Sequence, residues 1–314
     1  VEQEEQEVQI GLSFESFVIE RWMRERDVFV SAAKELGAEV NVQNANGDVE
    51  EQISQIEYFI KKQVDVIVVV AGDCEALSDV MIKAREAGIK TVSYDRLIMN
   101  AGCDLYISFD NTEVGRLMAE SMLENIPDGG DIFLIQGPLT DNNVSLIREG
   151  IDETLAGSNL NVVYEANCPG WIAENAYTYT KEGLKLDRNV KGIICGNDDL
   201  ASQAFRALSE ERLAGKVCVT GQDGDLAACQ RIVEETQEMT AFKSVEQEAS
   251  MAAKCAVLLG LGEEIEEARS TAYDGTYNVP YLELQPIAVT KENMDEVIIK
   301  GGFHAKEDVY LNVN

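Results

Sequence analysis

Histidine occurs once in these 314 residues, as His304 near the C-terminus. A Ser-His-Asp relay would have to use it, and no GxSxG serine accompanies it. Histidine clusters around a metal are excluded with it. Cysteine appears seven times (Cys74, Cys103, Cys168, Cys195, Cys218, Cys229 and Cys255), an odd number with no CxxC and no spacing suited to structural zinc. Cys195 and Cys218 sit in apolar strand-like runs, where a thiol behaves as a small hydrophobe, so most of the seven are expected free and buried. There is no GxxxxGK[ST] phosphate loop, and no GxGxxG follows the first strand-like run. The stretch NANGD lacks the full ligand spacing of a calcium loop. No cofactor and no metal are therefore expected. Apolar runs are short: the longest candidate, 64–71, is interrupted by Asp65, against the roughly 20 residues that a membrane span needs. Basic residues are scarce, 26 against 57 acidic ones, and the net charge is −31. Such a surface repels nucleic acid, whose binding rests on Lys and Arg, and disfavours an anionic membrane. It suits a solvated protein with a neutral ligand.

What is present is an alternating rhythm. The length suggests two domains, and 45% hydrophobic residues can bury two cores. After an acidic head, VEQEEQE over 1–7, strand-like runs occur at 8–14, 40–43, 64–71, 90–94 and 105–109. The head reads as disordered, and it suits a processed N-terminus, a tether to a membrane anchor or an ordinary frayed end. Amphipathic helical spacing separates the runs, as in Ile53, Ile56, Phe59 and Ile60. Asn46-Gly47-Asp48 supplies turn and cap chemistry, and Gly37 and Gly88 stand where helices want a left-handed end. The rhythm restarts with strands at 131–136, 161–165, 192–196 and 217–221, separated by helices near 143–156, 172–186, 198–212 and 225–236. A helical stretch at 245–261, a strand at 284–290 and a helix at 291–300 complete it. Strands alternating with helices predict parallel sheets with crossover helices, here two α/β lobes with a switch near Asp110.

Open parallel sheets bind ligands beyond the carboxyl ends of their strands. The residues there are distinctive: Arg21-Trp22, Asp95-Arg96, Asp141-Asn142-Asn143, Trp171, Asn197-Asp198, Asp223 and Lys243. Two indoles with Asp, Asn, Arg and Lys suit a sugar, which wants flat apolar walls for its C–H faces and polar pairs for its hydroxyls. Each residue has a plainer reading. Trp22 would serve as core and Asp95-Arg96 as a surface ion pair; Asp223 competes with Asp225 for a cap, and most lysines are solvated. Between neighbours, Asp198 is expected as the cap of the following helix and Asn197 as the ligand contact.

At these residues the chain resembles the type I periplasmic-binding-protein family, most closely its branch serving D-xylose to bacterial ABC transporters. The resemblance rests on ERWMRERDVFV at 20–30, VQNANG at 42–47, SQIE at 54–57, YDRLI at 94–98 and YISFDNTEVG at 106–115. DNN at 141–143, GW with ENA at 170–176, GND at 196–198, GQDGDLA at 221–227 and GFH at 302–304 continue it. It implies two doubly wound parallel-sheet lobes joined by a three-crossing hinge near Asp110, Val245 and Leu284. The first lobe would hold 1–110 and 246–283, the second 111–245 and 284–314. It also implies that Trp22 and Trp171 sandwich a pyranose. Arg21, Asp95 and Arg96 would bond hydroxyls from the first lobe; Asp141, Asn143, Asn197, Asp223 and Lys243 would do so from the second or the hinge. The stretches EANCPGW before Trp171 and GLSFESFVIE before Trp22 depart from the pattern, which leaves the sugar open to another pentose or a hexose.

The function so implied is a monomeric extracytoplasmic receptor, periplasmic or a cell-surface lipoprotein, that hands a monosaccharide to an ABC permease and is not an enzyme. A sensor feeding a membrane kinase or chemoreceptor would look the same in sequence. A sugar-responsive repressor would need a DNA-binding head, for which VEQEEQE leaves no room.

Overall fold

The computed structural model describes residues 7–313; the acidic head, except for Glu7, lies outside them. The chain opens with β1 (Gln9–Phe14), α1 (Arg21–Glu35), β2 (Glu39–Asn44), α2 (Val49–Lys62), β3 (Val66–Val70), α3 (Ser78–Glu86), β4 (Lys90–Tyr94) and β5 (Leu105–Phe109). Then come α4 (Asn111–Asn125), β6 (Gly130–Gln136), α5 (Asn142–Leu155), β7 (Leu160–Asn167), α6 (Glu174–Leu186), β8 (Gly192–Cys195), α7 (Asp198–Glu210), β9 (Cys218–Gln222), α8 (Leu226–Val233) and β10 (Met239–Phe242). The last part holds α9 (Val245–Gly260), β11 (Ser270–Tyr273), β12 (Asn278–Leu284), β13 (Ile287–Val289), a π-helical turn at Asp295–Ile299 and α10 (Lys306–Val309).

These elements form two compact α/β units. The first runs to Phe109 and adds Thr140–Asn143 and Ser244–Leu284; the second takes Asp110–Leu139, Val144–Lys243 and the chain from Gln285 on. In the first unit the strand order is β11-β12-β5-β4-β3-β1-β2. β3 reads VIVVV and is buried along its whole length, as expected of a parallel strand covered on both faces. Ile56 and Phe59 of α2 and Met81 and Ala84 of α3 pack on one face of this sheet, while α9 packs against β3 and α1. The expected helix ends are present. Asp48 accepts from the Glu51 N–H at the start of α2, and Gly37 and Gly88 have φ of +78° and +80° after α1 and α3.

In the second unit the order is β13-β10-β9-β8-β6-β7. Ile132, Leu134, Ile194, Met239 and Ala241 present one apolar face to Val114, Met118, Ile147 and Ile151 of α4 and α5. A further cluster, with Ile232, Phe242, Met294 and Val309, ties the C-terminal turns to α8.

Three expectations are corrected. The sheets are mixed rather than parallel throughout: β11 runs antiparallel to β12, and β13 antiparallel to β10. The hairpin β11–β12 carries no strong apolar alternation, and the strand expected at 284–290 divides into the end of β12 and a separate β13. Over 291–300 the chain makes a π-helical turn in place of an α-helix. All seven cysteines are free thiols, six of them buried. Burial raises every one of these thiols, which keeps them protonated and unreactive at neutral pH. Among the described residues no helix is long and apolar enough to cross a membrane, and no group of His, Cys, Asp and Glu is arranged to hold a metal.

Candidate functional site

In the first unit the candidate residues gather beyond the carboxyl ends of β1, β3 and β4. α1 begins at Arg21, and its turn places Arg21, Trp22 and Glu25 on the buried side. Arg21 donates from Nε and Nη2 to Glu25, at 2.7 and 2.8 Å. Its Nη2 also reaches Asp95 Oδ1 at 3.0 Å and Glu248 Oε2 at 2.8 Å, the latter supplied by α9. Tyr94 donates its hydroxyl to Glu25 at 2.6 Å. Burial alone would lower the Arg21 guanidinium's pKa, but Asp95, Glu25 and Glu248 together raise it well above its ordinary value. Burial pushes the Glu25 carboxyl upward against the pull of Arg21.

Arg96 is held as firmly. Its Nη1 donates to the Ala71 carbonyl at 2.9 Å and stands 3.3 Å from Glu15, and its Nε lies 3.0 Å from Asp141. Burial opposes the charge here too, and Asp141 and Glu15 outweigh it. Both guanidiniums lie over the Trp22 ring, at 4.2 and 5.4 Å from its centroid, a cation–π arrangement. Trp22 is 1% exposed and packs near Phe14 and Tyr94, so it is core and candidate site at once. Its indole N–H has no hydrogen-bond partner among the described residues. Asn143 donates from Nδ2 to the Asp95 carbonyl at 3.2 Å and to its carboxylate at 3.1 Å. Asp141 and Asn143, expected in the second lobe or the hinge, thus pack within the first unit.

The second unit brings Trp171, Asn197, Asp223 and Lys243 to its own strand ends. Lys243, whose plainer reading was a solvated lysine, is 2% exposed and donates to Asn111 Oδ1 at 3.0 Å. The cap expected of Asp198 is supplied by Asn197 instead. Asn197 Oδ1 accepts from the Leu200 N–H and caps α7. Asp198 is wholly buried and accepts from Thr240 Oγ1 and Gln237 Nε2, at 2.8 and 3.0 Å. Burial pushes its carboxyl up to about 7, against the lowering effect of the Thr240 hydrogen bond. The Asn197 amide nitrogen, at the opposite end of its side chain from the cap, has no partner among the described residues. Gln136 and Gln222 share one row with Gly196 between them, from the pairing of Leu134 with Ile194 and Ile194 with Thr220. Both are buried; among the described residues Gln136 leaves both amide atoms, and Gln222 its oxygen, without partners.

Asp95, Trp171 and Asp223 have φ of +64°, +58° and +100°. Side-chain-bearing residues seldom adopt this region, and where they do the surroundings over-determine it, most often at functional sites. The sequence reading missed Glu15, Glu25, Tyr94, Asn111, Gln136, Gln222 and Glu248. Glu25 was legible in principle as an i, i+4 partner of Arg21. Glu248 was not, since 227 residues separate it from Arg21. The two groupings offer fixed donors and acceptors beside aromatic rings, an arrangement that can hold a neutral polyhydroxylated molecule.

The Periplasmic binding protein domain family matches residues 10–264. The chain is 44% identical to the D-xylose-binding periplasmic protein of Haemophilus influenzae, over 97% of this chain and 92% of that one. To the D-xylose-binding periplasmic protein of Escherichia coli it is 41% identical, over 96% and 93%. Among solved structures, an ABC transporter solute binding protein from Clostridium phytofermentans with bound β-D-glucose superposes with a TM-score of 0.88 at 25% identity, covering 96% of this chain and 99% of that one. The two-unit α/β architecture, the family match over most of the chain and this near-full-length identity lead to one conclusion: the chain belongs to the periplasmic binding protein family of solute-binding proteins.

Proposed function

We propose that this protein binds a free monosaccharide, D-xylose first among them, outside the cytoplasm and delivers it to the membrane subunits of an ABC permease. In this reading it acts as a monomer, either periplasmic or anchored as a cell-surface lipoprotein, and does no chemistry on the sugar. Trp22 and Trp171 stack on the pyranose. Arg21, Asp95, Arg96, Asp141, Asn143, Asn197, Asp223 and Lys243 bond its hydroxyls. The observation that carries the reading is that each unit places a buried tryptophan beside buried, hydrogen-bonded polar side chains at its strand ends. The unpartnered Trp22 N–H and Asn197 amide are donors of the kind a hydroxyl oxygen satisfies. The names of the two relatives above 40% identity support the choice of D-xylose.

A thermal-shift panel of pentoses and hexoses tests this. A ligand that binds only the native state stabilises it by RT ln(1 + [L]/Kd), about 2.7 kcal/mol at a hundredfold excess over Kd. D-xylose should raise the melting temperature more than D-glucose or D-ribose. If no monosaccharide shifts it at millimolar concentration, the sugar reading is wrong.

A further inference from the structure

Trp171 does not rest on other side chains alone. Gly137, just past β6, and Gly196, just past β8, lie on adjacent strands. A Cβ placed on Gly137 would fall 2.3 Å from Trp171 Cζ2, 2.4 Å from Cε2 and 2.5 Å from Cη2. Three neighbouring ring atoms at nearly one distance put that Cβ over the face of the six-membered ring, since a point beyond the ring edge would be much closer to one atom than to its neighbours. A Cβ on Gly196 would meet Cζ3 of the same ring at 3.1 Å, with the Gly137 nitrogen equally close. Neither glycine has the positive φ that excludes a side chain. What excludes one at Gly137 is the indole.

The loop that carries the indole has little room to yield. Gly170 and Trp171 both have φ of +58°. The Cys168 N–H bonds the Gln136 carbonyl at 2.7 Å, and Asn167 Nδ2 bonds the Gly137 carbonyl at 2.9 Å. Loop and strand end are therefore tied together, with one face of the ring laid against Gly137.

We propose that Gly137 and Gly196 are positioning residues that set the depth of the Trp171 indole, and with it the clearance left for a pyranose ring. The inference rests on the sugar-binding reading above. With a methyl group at Gly137 the ring would have to lift by about 1 Å to regain ordinary contact distance. It would lift away from the strand ends, on the side a sugar would meet. A stacked sugar sits at van der Waals distance, with no spare ångström, and the polar groups it must also reach, Asn197 next to Gly196 among them, are fixed to the same strand ends. The sugar must then give up either the stack or the hydrogen bonds.

The test is calorimetric titration of D-xylose into wild type, Gly137→Ala, Trp171→Phe and Gly137→Ala/Trp171→Phe. Gly137→Ala should weaken binding about tenfold or more in the wild-type background. In the Trp171→Phe background, where the benzo ring under the methyl is gone, the same change should cost about threefold at most. Equal losses in both backgrounds, or none in either, overturn the proposal. The positioning is also read without sugar. In Trp22→Phe protein Trp171 is the one remaining indole, and adding Gly137→Ala should increase its acrylamide quenching; unchanged quenching overturns the proposal. Should Gly137→Ala fail to fold, Gly196→Ala, a milder intrusion, must shift quenching and affinity in the same direction. A wild-type protein that binds no monosaccharide refutes the sugar reading, while the quenching result still decides the placement of the ring.

Discussion

Asn197 uses its two side-chain atoms differently, and substitution can separate them. Oδ1 caps α7, while the amide nitrogen is buried without a partner among the described residues. Aspartate caps a helix as well as asparagine does. Asn197→Asp should therefore keep the melting temperature nearly unchanged while D-xylose affinity falls about tenfold or more, because the donor is lost. Asn197→Ala should lose affinity and also about 1 kcal/mol of stability, measured by denaturant unfolding. Equal affinities in wild type and Asn197→Asp would remove Asn197 from the ligand contacts. Its neighbour Asp198 makes a pH prediction. The carboxyl titrates near 7 when folded and near 4 when unfolded. Below about 4 both states are protonated and the native state carries no ionisation cost. Between about 4 and 7 the unfolded chain releases its proton first, so native stability falls as pH rises, by on the order of 3–4 kcal/mol at most. Asp198→Asn removes this dependence. The stability of wild type relative to Asp198→Asn should decline from pH 4.5 to pH 7.5, and a constant difference would refute the shift. In sequence, Asn197-Asp198 offers two adjacent caps of equal propensity. The choice came from the buried Thr240 and Gln237, which donate to Asp198 and not to Asn197.

The hairpin β11–β12 shows what an element's own sequence withholds. β11 reads STAY and is mostly exposed, so it carries no apolar alternation to announce a strand. Its place is secured by the turn. The wholly buried Asp274 accepts the backbone N–H groups of Ala101, Gly102, Thr276 and Tyr277, at 2.7–3.1 Å. The Asn100 N–H in turn bonds the Asp274 carbonyl at 2.7 Å. One carboxylate thus pins the sheet-edge hairpin to the loop after β4. Asp274→Ala should cost about 2–4 kcal/mol, since four backbone donors, those of Ala101 and Gly102 buried, lose one acceptor together. Hydrogen exchange should rise first over 270–284 and 100–103 while β3 stays protected. Uniform exchange across the unit would show that the turn is no local clamp. By contrast β3 and α2 were legible beforehand, because their apolar spacing is a property of a few consecutive residues.

At the scale of the whole molecule, three segments of chain build the first unit and three the second. In the proposed function, one sugar bonds groups that belong to both units. A ligand of that kind stabilises whichever arrangement satisfies all its hydroxyls, and its differential affinity sets how far the population shifts. Small-angle scattering should show a smaller radius of gyration with saturating D-xylose than without. An unchanged radius in protein shown by calorimetry to be saturated would leave binding without closure. Asp223→Ala should reduce affinity and the change in radius together.

By itself the sequence determined the alternation of strands and helices, the two-unit α/β class and the positions that fall at strand ends. Each of these follows from periodicity and turn chemistry within about a dozen residues. It also placed the two tryptophans and their charged neighbours at those ends. The tertiary structure alone decided which carboxylates surround Arg21, that Asn197 rather than Asp198 caps α7, and that Asp141 packs with Arg96. It alone showed that each sheet ends in an antiparallel strand and that Trp171 lies flat on a glycine. The physical reason is common to all of them. A buried charge, cap or ring is settled by partners distant in the chain, and their proximity arises only when the sheets assemble.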